Sequence, residues 1–218
     1  MSYQPRFNHI FEEWASNYDQ EITGGNPQYA EAFEGYDQIL NEVADALVAP
    51  FAGTILELGV GTGNLSKVIR SRGLHVLGVE PSPDMRAIAS TKIPEMKILD
   101  GHFLSLPEDA THFDGIVSTY AFHHLTDEEK DMALVDLAQR LKPNGKIVFA
   151  DSIFLDQAAK QAMIDEARER QFYDLATDLE REYYPILPRL EHSFKQAGLK
   201  VTFKQMNRFV WLMVAEIA

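Results

Sequence analysis

The sequence predicts an α/β fold: a seven-stranded, mostly parallel sheet with helices on both faces, a terminal antiparallel strand and a helical N-terminal cap. Three observations predict it. From Thr54 onward, five short apolar runs alternate with helical stretches, the pattern of βαβ units. Two further runs near the C-terminus are joined by a turn that can only link antiparallel neighbours. Ahead of the first run lie two apolar stripes of helical period.

The first stripe, Phe7, Ile10, Phe11, Trp14 and Tyr18, stands behind Pro5 and ends near Gly24-Gly25. The second runs from Tyr29 through Ala32, Phe33, Tyr36, Ile39, Leu40 and Val43 to Leu47, and Pro50 stops it. The parallel runs cover 54–58, 75–80, 96–100, 113–118 and 145–151, with helices near 63–72, 83–92 and 126–141 between them. Ser82 with Pro83 marks the start of the second of these helices, and Thr126 with Glu129 forms a capping box for the third. After Asp156 the pattern is helical to about Leu179 and again over 186–197. The closing strands are 199–205 and 208–215, turning at Met206-Asn207. The expected organisation is one domain over 1–218, with the cap at 1–50 and the core at 51–218, including a helical cover at 156–197.

Composition narrows the function. With 33 acidic residues against 20 Lys and Arg, the 218-residue chain carries a formal charge of -13, and it has no cysteine. A chain of this length buries about 70% of its unfolded surface and needs no disulfide staples. Zero cysteines exclude thiolate metal sites, iron–sulfur clusters and a cysteine nucleophile, and suit a cytoplasmic location. The negative charge argues against nucleic acid or an anionic membrane as partner. Met1–Ile10 lacks the apolar core of a signal peptide, and the longest apolar stretch, Val210–Ala215, falls far short of the ~20 residues of a membrane span.

The chemistry concentrates at the end of the first strand, which reads Glu57-Leu58-Gly59-Val60-Gly61-Thr62-Gly63-Asn64, while Glu80 closes the second strand. Glycines there permit a tight turn and close approach of a ligand to the main chain, ahead of a helix N-terminus. A carboxylate at the second strand's end can accept from both hydroxyls of a ribose. Together they point to a nucleoside-containing ligand. A dinucleotide fingerprint would place its third glycine at position 64, which is Asn64; here it is Gly63.

That spacing resembles the E/D-x-G-x-G-x-G motif of class I S-adenosylmethionine (SAM)-dependent methyltransferases. Gly78-Val79-Glu80-Pro81-Ser82, Phe113-Asp114-Gly115-Ile116-Val117 and Leu141-Lys142-Pro143-Asn144-Gly145-Lys146 are similar to later motifs of that family, in order. The likeness spans roughly 5–216 and implies a Rossmann-like fold, SAM as cofactor and S-adenosylhomocysteine as product. A narrower likeness, carried by residues 120–130, is to the small Bacillus-type YrrT methyltransferases. The resemblance implies that Gly59, Gly61 and Gly63 lie under the methionine end of the cofactor and that Glu80 binds the ribose. The family's Gly-Asp at the adenine is here Asp100-Gly101-His102, so the acid is displaced and His102 takes its position. Ser118 would border the cofactor. Tyr18, within Trp14-Ala15-x-x-Tyr18-Asp19, resembles an aromatic lid over the methionyl group.

Methyl transfer requires alignment, exclusion of water and, for a protonated nucleophile, a base. His123 and His124 stand where a base could sit, and neighbouring residues are expected to point apart, so that at most one of them reaches the site; the competing reading packs one in the wall and leaves the other partly solvated at the mouth. The seven histidines show no metal-ligand spacing, and no metal is expected. Ser118-Thr119-Tyr120-Ala121 replaces the Asn-Pro-Pro-Tyr of adenine and glutamine methylation, and covalent pyrimidine methylation needs a thiolate. A small-molecule acceptor is therefore expected, bound by a monomer or homodimer without nucleic acid or membrane. The alternatives are a non-catalytic SAM-binding or regulatory protein and, further off, a nicotinamide-dependent oxidoreductase.

Overall fold

A computed structural model describes Asp19 and residues 21–47, 53–107 and 112–218. The first predicted helix, with Tyr18, lies outside the described residues save for its end, where a single wide turn over Glu21–Gly25 closes with Gly24 at φ 94°. In chain order the elements are α1 (Tyr36–Leu47), β1 (Thr54–Leu58), α2 (Asn64–Ser71), β2 (His75–Val79), α3 (Pro83–Lys92), β3 (Lys97–Leu99), β4 (Phe113–Thr119), α4 (Asp127–Gln139), β5 (Leu141–Ser152), α5 (Gln157–Glu169), α6 (Tyr173–Arg181), α7 (Leu187–Gln196), β6 (Leu199–Gln205) and β7 (Val210–Ile217).

The strands form one seven-stranded sheet in the order β3-β2-β1-β4-β5-β7-β6. β7 runs antiparallel to both β5 and β6, so it alone is reversed and sits one place in from the edge. Alternate residues of each strand feed two cores. Val117, Val148, Ala150 and Leu212 pack with α1, α2, α5 and α6 on one face. Leu56, Ile116, Phe149 and Met213 pack with α4 and α7 on the other. Because β1, β4 and β5 are covered on both sides, they read as unbroken apolar runs. The strand order reverses direction between β1 and β4, and in open α/β sheets ligands bind outside the carboxyl ends of the strands at such a point.

Local signals set the boundaries. Ser82 caps α3 by accepting from the Met85 N–H, and Thr126 and Glu129 make the reciprocal capping box of α4. Three expectations need correction. The second helix does not begin at Tyr29: Pro27–Tyr29 is one 3₁₀ turn, and the left-handed Gly35 at φ 68° holds α1 back to Tyr36. The cover after Asp156 is two helices, because Gln171 takes φ 62° between α5 and α6. The final turn is longer than two residues, since the Asn207 side chain accepts the N–H groups of Phe209 and Val210 before β7 can start. No helix among the described residues is long and apolar enough to cross a membrane.

Candidate active site

The loop after β1 is shaped for a ligand. Gly59 and Gly61 both have positive φ, at 70° and 55°, which side chains with a Cβ rarely adopt. A Cβ on Gly59 would lie 2.7 Å from the Ala121 Cβ, so this glycine lets the loop press against the segment after β4. A Cβ on Gly61 would meet only open space, the space a ligand needs. α2 then starts at Asn64, with Gly63 before it supplying no side-chain cap, which leaves its N-terminal N–H groups to other acceptors.

Glu80 is 4% exposed and holds this loop in place. Its Oε2 accepts the Gly61 N–H at 2.9 Å and its Oε1 the Ser82 N–H at 2.8 Å. Burial pushes its carboxyl above the ordinary value, while these two backbone donors pull the other way. Each oxygen has a second lone pair, so the carboxylate can still accept from two hydroxyls. Glu57, beneath the loop, is fully buried against the Ser66 hydroxyl, and burial lifts its pKa to about 8. Asp19 reaches down from the cap to the same loop, accepting from Thr62 Oγ1 at 2.7 Å and from Asn64 and Lys92.

The other predicted cofactor residues fall around this loop with different commitments. Asp100 is largely exposed and pairs with Arg86 Nη1 at 2.7 Å, the same guanidinium that donates to the Glu80 carbonyl at 2.6 Å. His102 is half-buried, its Nδ1 accepts the Leu104 N–H at 3.3 Å, and burial holds its pKa down. The Ser118 hydroxyl is buried and donates to the Leu58 carbonyl at 2.8 Å, so it ties the end of β4 to the end of β1.

Beyond β4, Phe122–His124 form a 3₁₀ turn that places two histidines over the carboxyl ends of β4 and β5. Their rings do not diverge as expected: the centroids are 4.1 Å apart. Two carboxylates draw them together. His123 Nδ1 lies 2.6 Å from Asp151 Oδ1, and His124 Nδ1 lies 2.9 Å from Glu182 Oε2. Asp151 Oδ2 also accepts the His123 N–H at 3.0 Å, and Oδ1 accepts the Ser152 N–H at 2.7 Å. Burial pushes the Asp151 carboxyl up, but His123 and these donors outweigh it and leave it below the ordinary value. Burial, helped by His123, drives His124 down to about 4. Tyr184 stacks on His123 at 4.8 Å, and the Lys130 ammonium, buried, donates to the carbonyls of Leu125 and Tyr183, fastening this connector down.

His123, His124 and Glu182 bring potential metal-ligand atoms within 4.8 Å of one another. Both Nδ1 atoms already face carboxylates at hydrogen-bond distance, so the arrangement as it stands is two histidine–carboxylate pairs. Sequence reasoning missed Asp151, Glu182, Tyr184 and Lys130. Asp151 carried a usable signal, an acid closing an apolar strand run as Glu80 does; Glu182 carried none.

A roof covers these groups. Phe33, Tyr36 and Tyr120 pack in edge-on and tilted contacts with centroids 5.3 to 6.0 Å apart, and the Tyr120 hydroxyl donates to the Ala32 carbonyl. The Asn207 amide donates to the carbonyls of Ala32 and Glu34, and Tyr29 bonds Asp178 of α6.

Comparison with known proteins agrees with this geometry. The family described as "Methyltransferase domain" matches residues 55–145. An uncharacterized methyltransferase of Oceanobacillus iheyensis is 50% identical over 210 residues, covering 96% of this chain and 97% of that one. Another, of Geobacillus kaustophilus, is 51% identical over 211 residues, covering 96% of each. Among solved structures, a TehB-like SAM-dependent methyltransferase of Corynebacterium glutamicum superposes with a TM-score of 0.65 at 18% identity, covering 96% of this chain and 99% of its own. The DhpI–SAM–HEP complex superposes with a TM-score of 0.68 at 16% identity, covering 99% of both.

Proposed function

This chain belongs to the class I SAM-dependent methyltransferases, and we propose that the acceptor of its methyl group is a small molecule. SAM, when bound, supplies a methyl on a sulfonium that is already activated for displacement. In our reading Gly59, Gly61 and Gly63 cradle its methionine end, Glu80 accepts from the ribose hydroxyls, and the Asp100-Gly101-His102 segment frames the adenine. The open space over Gly61, the uncapped start of α2 and the spare lone pairs of Glu80 support this seating. Asp100 is occupied by Arg86, so the adenine side rests on His102 and the neighbouring backbone. Tyr18 as a lid is supported by its neighbour Asp19, which grips the glycine loop at Thr62.

What the chain must then do is align an acceptor over the ends of β4 and β5, keep water out and take up any proton. The single observation that carries the small-molecule reading is the roof: the Tyr120 hydroxyl and the Asn207 amide both bond the Ala32 carbonyl, closing residues 27–36 over that end of the sheet. A site enclosed from above suits a metabolite better than a polymer, and the charge of -13 repels polyanions. Conversion of methyl-labelled SAM to S-adenosylhomocysteine should occur with members of a small-metabolite panel. Labelling of transfer RNA or of protein, with no metabolite methylated, would overturn the reading.

A further inference from the structure

We propose that His123, oriented by Asp151, accepts the proton of the incoming nucleophile, so that the acceptor is a molecule whose nucleophilic atom enters protonated: a hydroxyl, a thiol or an ammonium. This rests on the methyl-transfer reading of the site and names the class of acceptor it takes.

The argument begins at Asp151. It is 2% exposed, and its two oxygens receive the backbone N–H groups of His123 and Ser152. Such a carboxylate can only accept. The His123 Nδ1 facing it at 2.6 Å therefore carries a hydrogen, and the lone pair of the neutral ring is on Nε2. Stacking on Tyr184, with 22° between the planes, holds that ring in one orientation. The two histidines thus differ. His124 faces Glu182 in a similar way, yet burial and His123 lower its basicity to about 4, so it gains a proton poorly at neutral pH. Asp151 is a positioning residue, since it works through His123 without touching substrate.

The step balances. The bond from the nucleophilic atom X to the methyl carbon forms as the S–C bond breaks with its electron pair returning to sulfur. The X–H bond breaks, and the proton ends on His123 Nε2 and then in solvent, one for each methyl moved. A thioether has no such proton and needs no base.

Two measurements decide it. Histidine ¹⁵N NMR of the full chain should show His123 with its proton on Nδ1, and Asp151→Asn should shift it toward Nε2. Turnover of labelled SAM should then be followed on a panel of metabolites bearing hydroxyl, thiol, primary-amine or thioether nucleophiles. Proton-bearing acceptors should be methylated with release of one proton each. Asp151→Asn should lower kcat roughly 10²- to 10⁴-fold, with SAM affinity within twofold of the parent and partial rescue by Asp151→Glu. His123→Gln should lower kcat at least as far as Asp151→Asn does. The groups around His123 are Asp151 from β5, His124 of its own turn, Glu182 and Tyr184 of the connector, and Lys130 and Lys160 behind them. A His123 ring protonated at Nε2 in the parent, turnover of a thioether, or an Asp151→Asn enzyme within threefold of the parent would overturn the inference. SAM binding without turnover of any acceptor would instead overturn the methyl-transfer reading beneath it. His123→Gln, which keeps a hydrogen bond to Asp151, supplies the same comparison if Asp151→Asn does not fold.

Discussion

Glu80 Oε2 grips the Gly61 N–H at 2.9 Å, so one carboxylate both shapes the glycine loop and faces the site that loop encloses. Glu80→Ala removes the carboxylate proposed to accept from the ribose and loosens the loop. Hydrogen bonds to a charged group are worth about 1.5–3 kcal/mol, so SAM affinity should fall roughly 10- to 150-fold by calorimetric titration. An unchanged dissociation constant would place the ribose elsewhere.

Gly61→Ala tests the space rather than the charge. A methyl group there meets no protein atom, yet φ 55° is the left-handed region, where a Cβ costs about 1–2 kcal/mol. Thermal unfolding should show that modest loss, while SAM binding drops more than tenfold because the methyl occupies the ligand's approach. Parental affinity with only the stability loss would mean the cofactor stays clear of Gly61.

Buried Glu57 makes stability depend on pH in a defined direction. Burial raises its folded pKa to about 8 from an ordinary 4.5, so the folded state binds more protons than the unfolded state between those values. Stability from this group is full below pH 4.5 and is lost as pH rises toward 8, by up to about 1.4 kcal/mol per unit. Denaturant melts at pH 5, 6, 7 and 8 should show the decline, and Glu57→Gln should flatten it. Equal slopes in the two proteins would remove Glu57 as its source.

Lys130 is a buried structural cation, with the Asp127 carboxylate 3.8 Å from its ammonium. Lys130→Met keeps most of the volume but leaves the carbonyls of Leu125 and Tyr183 without their buried donor. At about 1–3 kcal/mol for each carbonyl that loses this donor, the variant should lose about 2–6 kcal/mol in urea unfolding. It should also free the Tyr183–Tyr184 connector to faster amide exchange. Loss below 1 kcal/mol would show that water replaces the amine.

The sheet was legible because strands covered on both faces cannot hide their composition: β1, β4 and β5 announce themselves as apolar runs, and Gly59 to Gly63 with Glu80 mark the switch between β1 and β4. The paired histidines were visible, but their partners were not. Asp151 and Glu182 come together with them only after two helices and a connector have folded over β5. Lys130, in a run of acids after Thr126, reads as part of a solvated face, and only the docking of Tyr183 shows it to be interior. Tyr29 has the period of a helix, but Gly35 breaks the helical geometry six residues later, a backbone preference that hydrophobic spacing does not register.

β7 is the last strand in chain order, yet it lies between β5 and β6, pairing Val148 with Val214 across more than sixty positions. Until it arrives, β5 presents an unpaired edge and the hairpin has no neighbour, both open templates for another chain. Contacts of such separation are slow to form because loop closure must precede the gain. The slowest stage of this protein's folding should be the insertion of β7, with aggregation as the competing outcome until that slot is filled.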